Sequence, residues 1–296
     1  MITPINQDEW TVHAINIHGI FFEKWCEMQI EKSGSWSVKS TQYPVEYPVP
    51  SGLLRGKESV LDIRAELKAG DCLYTLPIEC KKNNPEYTNW IFFEKKRKSV
   101  PREIRSYFLA NLPNPAPQKN WHPELTIGSF LKNYPIANEA RETKGNYVEL
   151  VKRKTTQITR TSNASINEAA FQVALATQAI MTEEVKFSRT LSAESARKPY
   201  STQVILPIIV TTAKILLCNF EPDDILQDIG EIPLDKVNLS EQPYMVYEYP
   251  LPKLLQKEPA NLTQELKENS LDSFYRMDIL VLNCNYFSTF LSNIKP

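Results

Sequence analysis

VLDIRAELKAGDCLYTLPIECKK, residues 60–82, holds two runs of alternating polarity joined by a turn. In the first run, Leu61, Ile63, Ala65 and Leu67 alternate with Asp62, Arg64 and Glu66. In the second, Leu76, Ile78 and Cys80 alternate with Glu79 and Lys81. Side chains of a strand point to opposite faces in turn, so residues two apart share a face. The first run predicts a strand with Asp62, Arg64 and Glu66 on one side. The second predicts Glu79 and Lys81 as neighbours. Lys68-Ala69-Gly70-Asp71 has the composition of a turn. The stretch 59–82 therefore reads as a hairpin, and pairing across it is expected to bring Asp62 beside Glu79.

Upstream, residues 15–33 read as an amphipathic helix. Ile20, Phe21, Trp25 and Met28 recur at helical spacing, with Phe22 and Cys26 beside them. Glu23, Glu27 and Glu31 line another face, and Gly34 is a stop signal. Residues 35–49 look extended, and Pro44, Pro48 and Pro50 confine or end that strand. Downstream, residues 83–87 form a turn and 88–94 an apolar strand. Residues 111–146, with Pro113, Pro115, Pro117, Pro123 and Pro135, read as a loop-rich excursion. It is expected to belong to an insertion at about 111–160.

Ser165-Ile166-Asn167-Glu168 matches a capping box, so a helix is expected from there to about Phe187. Gln172 and Gln178 lie on it. Residues 203–212 and 214–220 read as two strands, the first buried on both faces because it lacks polar alternation. Further strands are expected at 244–249 and 277–283, then a helix over 285–294.

Composition narrows the function. The chain of 296 residues has 42% hydrophobic and 10% aromatic residues, enough for a folded core. Neither GxGxxG nor GxxxxGK[ST] occurs, so nucleotide-binding loops of those kinds are excluded. The five cysteines form no CxxC pair and no zinc spacing with histidine, which suits reduced thiols in a cytosolic protein. No basic segment followed by an apolar core opens the chain, so export is not expected. The most apolar run, 204–220, is broken by Pro207, Thr211, Thr212 and Lys214, which argues against a membrane span. These features together predict a cytoplasmic location.

Asp62 and the Glu79-Cys80-Lys81 signature, on adjoining strands after a helix, resemble the PD-(D/E)XK nuclease superfamily. Leu61 stands where the family name has Pro. The order helix, three strands, helix, strand is similar to the αβββαβ core of that restriction-endonuclease-like fold. The resemblance implies an α/β protein. Its core would be a mixed central sheet flanked by helices, with the insertion and C-terminal elements added, all as one nuclease domain over 1–296. It implies a Mg²⁺-dependent deoxyribonuclease, with Mn²⁺ as a substitute and no other cofactor. Asp62, Glu79 and Lys81 would be catalytic. Asp62, Glu79 and the backbone carbonyl of Cys80 would hold the metal, with Glu23 of the first helix as a further acid. Glu27 and Glu66 are weaker candidates of the same kind. Lys81 would orient and help deprotonate water or stabilise developing charge, and a metal beside it would push its pKa down.

Charge distribution agrees with a phosphate partner better than the net charge of −1 does. Lys81, Lys82, Lys95, Lys96, Arg97, Lys98, Arg102 and Arg105 face only Glu86, Glu94 and Glu103 over that stretch. Lys82, Arg64, Lys95, Lys96 and Arg97 are the DNA-binding candidates, with pairing to Glu66 as the alternative for Arg64. The resulting expectation is an endonuclease of a defence, restriction or mobile-element system. DNA would be its partner, no membrane would be involved, and the family allows a homodimer. The rival is an inactive nucleic-acid-binding or protein-interaction module on the same fold, favoured by the near-neutral charge and disfavoured by retention of all three signature residues.

Overall fold

A computed structural model describes residues 12, 16, 19–46, 58–83, 88–94, 107–110, 121–122, 134–143, 164–193, 202–256 and 275–293. The protein is mixed α/β. Among the described residues, 13 strands join in a single mixed sheet. Its continuous path runs β11-β10-β4-β7-β12-β13-β9-β3-β8-β5-β6, with β2 and β1 branching from β3. In chain order these are β1 (Ser37–Glu46), β2 (Glu58–Ala69), β3 (Cys72–Lys81), β4 (Asn89–Glu94), β5 (Tyr107–Ala110), β6 (Trp121–His122) and β7 (Ile136–Thr143). The remaining strands are β8 (Thr202–Ile205), β9 (Ile208–Thr211), β10 (Lys214–Asn219), β11 (Asn238–Gln242), β12 (Tyr244–Pro250) and β13 (Arg276–Asn283). Helices α1 (Ile20–Lys32), α2 (Ala164–Ala193) and α3 (Cys284–Asn293) complete the frame. None of the described helices is long and apolar enough to cross a membrane.

The hairpin forms as its alternation predicts. β2 and β3 pair antiparallel from Ala69↔Cys72 to Ile63↔Ile78, around a two-residue link in which Gly70 takes φ 58°. A side chain there would be strained, and glycine is not. β1 pairs antiparallel with the outer edge of β2. After α2, β8 runs parallel to the first half of β3 and β9 parallel to its second half. The break between β8 and β9 holds Pro207, opposite the stretch of β3 that holds Pro77. A proline cannot donate to a ladder, so placing both at one break confines the lost bonds to one point. Residues 203–210 are all buried, as expected for a strand with no polar alternation.

Two cores sandwich the sheet. On one side α2 packs Ile166, Ala169, Ala170, Val173 and Ala174 against Trp90, Ile209, Ile215 and Ile279. On the other, Phe22, Cys26 and Ile30 of α1 and Phe287, Phe290 and Leu291 of α3 cover Ile63, Ala65, Leu76, Ile78 and Cys80.

Four expectations are corrected. The buried stripe of α1 is Phe22, Cys26 and Ile30, while Ile20, Phe21 and Met28 are exposed. The helix is apolar around much of its girth, so spacing alone does not select the packed side. Leu61 packs in the α2 core and not with Ile63, Ala65 and Leu67, because the β2 ladder changes partners there. Residues 136–143, expected in a loop-rich insertion, form β7 between β4 and β12. Its inward residues are Ala137, Ala140 and Glu142, so it lacks the branched apolar signature of a strand. Finally, the start of α2 is not closed by a capping box. The carboxylate of Glu142 accepts the N–H groups of Ser165 and Ile166 at 2.9 and 3.0 Å, and the Ser165 hydroxyl as well. The rest of the expected insertion, 111–120, 123–133 and 144–160, lies outside the described residues.

Candidate active site

The β2–β3 ladder ends at Ile63↔Ile78, although both strands continue. β2 goes on with β1, through Leu61↔Tyr43 and Val60↔Pro44. β3 goes on with β9, through Glu79↔Ile209, Cys80↔Val210 and Lys81↔Thr211. The sheet forks there, and the three signature residues stand at the fork. The Asp62 carboxylate spans it by accepting the Cys80 N–H at 2.7 Å. In an antiparallel ladder the N–H and C=O of one residue leave on the same edge. The Cys80 carbonyl therefore lies on the strand edge that faces Asp62.

Glu79 and Lys81 emerge under α2. The Lys81 ammonium donates to Glu79 Oε1 at 3.1 Å and to Gln172 Oε1 at 3.1 Å, and it lies 4.0 Å from Glu168 Oε2. Glu168 and Gln172 are one helical turn apart on α2. Glu79 is only 2% exposed, and its Oε2 is buried with no hydrogen-bond partner. An orphaned carboxylate oxygen in a core is costly and calls for an explanation.

The electrostatics follow from burial. Burial, then the nearby Asp62 charge, pushes the Glu79 carboxyl up to about 8, while Lys81 pulls it back. Burial also pushes Asp62 up to about 6, opposed by the Cys80 N–H and reinforced by Glu23. Burial draws the Lys81 pKa down, but Glu79, Glu168 and Asp62 outweigh it, and the net shift is upward. The expected depression of Lys81 is therefore not its state beside metal-free carboxylates, where it remains a firm ammonium.

Glu23 reaches the same site from α1. It accepts from the Gln42 side chain at 3.1 Å, and its field raises Asp62. Burial and then Glu27 raise its own pKa. Gly19, the residue before α1, has φ 73°, and a Cβ there would lie 4.0 Å from both Glu23 Oε1 and the Lys82 Cβ. Glu27 is tied instead to Lys24 at 2.8 Å.

Arg64 takes the alternative open to it. It is 9% exposed, pairs with Glu66 at 2.8 Å and Glu183 at 3.3 Å, and lies 5.8 Å from the Tyr43 ring. That network anchors β2 to α2. It also engages Glu66 away from the fork. Lys82 is exposed at the margin and bonds the Asn16 carbonyl. Lys95, Lys96 and Arg97 lie outside the described residues. Asn83 braces the local chain by accepting from the Trp90 indole at 3.1 Å, and Gln178 donates to the Leu255 carbonyl, away from Lys81.

Sequence reasoning missed Glu168 at the site, because its spacing from Ser165 suggested a cap. It also missed Gln42, which nothing in a strand of mixed polarity marks out.

Among the described residues, no three His, Cys, Asp or Glu side chains form a ready-made metal cage. Mg²⁺ does not need one, since it is held by one or two carboxylates and keeps several waters. The donors at the fork suit such an ion: two hard carboxylates, one with an orphaned oxygen, and the edge carrying the Cys80 carbonyl.

No family model, curated protein or solved structure matches the chain.

Proposed function

We propose that the protein is a metal-dependent nuclease of the restriction-endonuclease-like type that hydrolyses DNA phosphodiester bonds. One observation carries this reading. Asp62, Glu79 and Lys81 converge at a fork in the sheet where Glu79 is buried with an unsatisfied oxygen. A surface hairpin with incidental alternating charges would leave these groups solvated. A structural ion pair would satisfy both carboxylate oxygens.

The topology supports the reading. β1, β2 and β3 form an antiparallel trio after α1, and β9, which follows α2, runs parallel to β3, an arrangement compatible with an αβββαβ core in which β4–β7 are inserted between β3 and α2. The additional strands extend the sheet both ways, β13 and its neighbours beyond β9, and β5 and β6 beyond β8.

Asp62, Glu79 and the Cys80 carbonyl would hold the cation, and Glu23 stands next to them. When bound, Mg²⁺ supplies charge neutralisation at the phosphate and lowers the pKa of its water. The residues supply the rest. Lys81, held from two sides by Glu79 and Gln172, presents its ammonium to the attacking water and the phosphate oxygens. Its ammonium, placed by these two acceptors, would orient the water or stabilise the charge that develops on the phosphate oxygens. The water oxygen bonds to phosphorus, the bond from phosphorus to the leaving oxygen breaks, and the proton of water ends on the leaving group. DNA as substrate, and a role in defence or mobile-element biology, rest on the superfamily resemblance.

The test is incubation of the full chain with supercoiled, linear and single-stranded DNA in Mg²⁺ or Mn²⁺, with EDTA as control. Metal-dependent nicking is expected. DNA affinity without metal-stimulated cleavage would replace this reading with the binding module.

A further inference from the structure

Gln42 is the one non-glycine residue among those described with a positive φ, at 51°. Such a backbone is uncommon outside glycine and marks a position whose surroundings enforce it. The β1–β2 ladder pairs Thr41 with Ile63 and Tyr43 with Leu61, so Gln42 lies opposite Asp62. Its amide leaves the ladder and donates to Glu23 Oε2 at 3.1 Å. Glu23 is repelled by Glu27 and Asp62 and drawn by Lys24 and Lys81, so the Gln42 bond fixes which of these directions it takes. A glutamate has three side-chain torsions, and its open route is toward solvent. The left-handed residue in β1 thus re-aims one amide, as bulged positions in edge strands commonly do.

We infer that Gln42 is a positioning residue that holds Glu23 beside Asp62, where Glu23 would add a further negative charge for a cation held by Asp62 and Glu79. This rests on the nuclease reading, because it takes Asp62 and Glu79 as the inner ligands. Partners of this kind typically contribute 10–100-fold in metal affinity.

Mn²⁺ affinity by calorimetry and metal-free melting, both on the full chain, test it. Gln42→Gly keeps the backbone conformation at no steric cost and removes the amide. It is expected to melt at or above the wild-type temperature while binding Mn²⁺ about 10-fold more weakly. Glu23→Gln is expected to lose a similar factor, and the double variant no more than either single one, since both act through one contact. Wild-type affinity in Gln42→Gly, or losses that multiply in the double variant, would overturn the inference and leave the nuclease reading intact. A wild-type chain that binds no Mn²⁺ would overturn both.

Discussion

Two glutamates are buried beneath α2, and they are treated in opposite ways. At the N-terminus of the helix, Glu142 from β7 is 6% exposed, and one of its oxygens accepts from Ser165 N, Ser165 Oγ and Ile166 N. Two turns along, Glu79 from β3 is 2% exposed, with one oxygen on Lys81 and the other on nothing. The first carboxylate answers orphan donors at a helix end, where negative charge is welcome. The second is left short of a partner beside another carboxylate, where negative charge is unwelcome. A fold that can satisfy one buried acid so fully gains nothing in stability from leaving the other unsatisfied. The contrast sets an acid that serves the architecture against one that the nuclease proposal assigns to a ligand.

The contrast breaks most sharply at Asp62. Asp62→Ala is expected to abolish both metal binding and cleavage, read by calorimetry and plasmid nicking. Asp62→Asn keeps an acceptor for the Cys80 N–H, so the same loss there with an unchanged circular dichroism spectrum assigns the effect to charge. Lys81→Ala comes next. It should retain metal binding, because an ammonium has no lone pair for a metal, and lower the cleavage rate by about 10²-fold or more through loss of a donor that would stabilise the developing charge. Cleavage unchanged in both variants would place the active site elsewhere.

A pH series sharpens the comparison without touching the substrate. The Glu79 carboxyl is raised from 4.5 to about 8 by burial and by Asp62. A carboxyl raised in the folded state binds a proton more tightly there than in the unfolded chain. Its contribution to stability is therefore complete below about pH 4.5 and is lost as pH rises to about 8. Asp62, raised from 3.8 to about 6, acts with the same sign over a lower window. The metal-free protein should lose stability across this range, on the order of 5 kcal/mol from Glu79 at about 1.4 kcal/mol per pKa unit. Glu79→Gln should flatten most of that slope, and Mg²⁺ should restore the wild type at pH 8 by binding the folded state. A wild type and Glu79→Gln with parallel pH profiles would show that burial of Glu79 carries no such penalty.

The sequence disclosed the site better than its supports. Alternation over 60–82 was enough for the hairpin, the pairing of Glu79 with Lys81 and the approach of Asp62, since period-2 patterns report directly on faces. The parallel strand after α2 was legible because seven successive residues, 204–210, offer no polar face. What failed was everything set by tertiary context. Leu61 follows the alternation in sequence but joins the α2 core where β2 changes partners. Glu168 fits a capping box and yet stands near Lys81, because Glu142, 23 residues before Ser165 in the chain, had already taken the cap. Gln42 adopts a conformation its residue type does not advertise. A local pattern names which residues share a face. It does not say which of two partners reaches a donor first.

Glu142 gives the smallest effect and the cleanest control. Glu142→Ala removes the acceptor for two backbone N–H groups at the start of α2, a loss worth about 0.5–2 kcal/mol for an N-terminal cap. Burial of Glu142 pushes toward the upper end, because the freed donors cannot all reach water. Glu142→Gln keeps an oxygen for the same N–H groups but gives up the charge that favours the helix terminus, so it should cost less, roughly 0.3–1 kcal/mol. Denaturant melts would measure both. Neither variant should change Mn²⁺ affinity, since Glu142 contacts the end of α2 and not the fork. Glu168 and Gln172 lie on the first two turns of that same helix, so fraying of its start also reports on Lys81. A Glu142→Ala protein that stays folded, binds metal normally and yet cleaves more slowly would show that α2 must be held at its N-terminus for Gln172 to hold Lys81. Equal metal affinity and equal cleavage would confine Glu142 to the architecture. A loss of metal affinity on its substitution would end the division between the two buried acids.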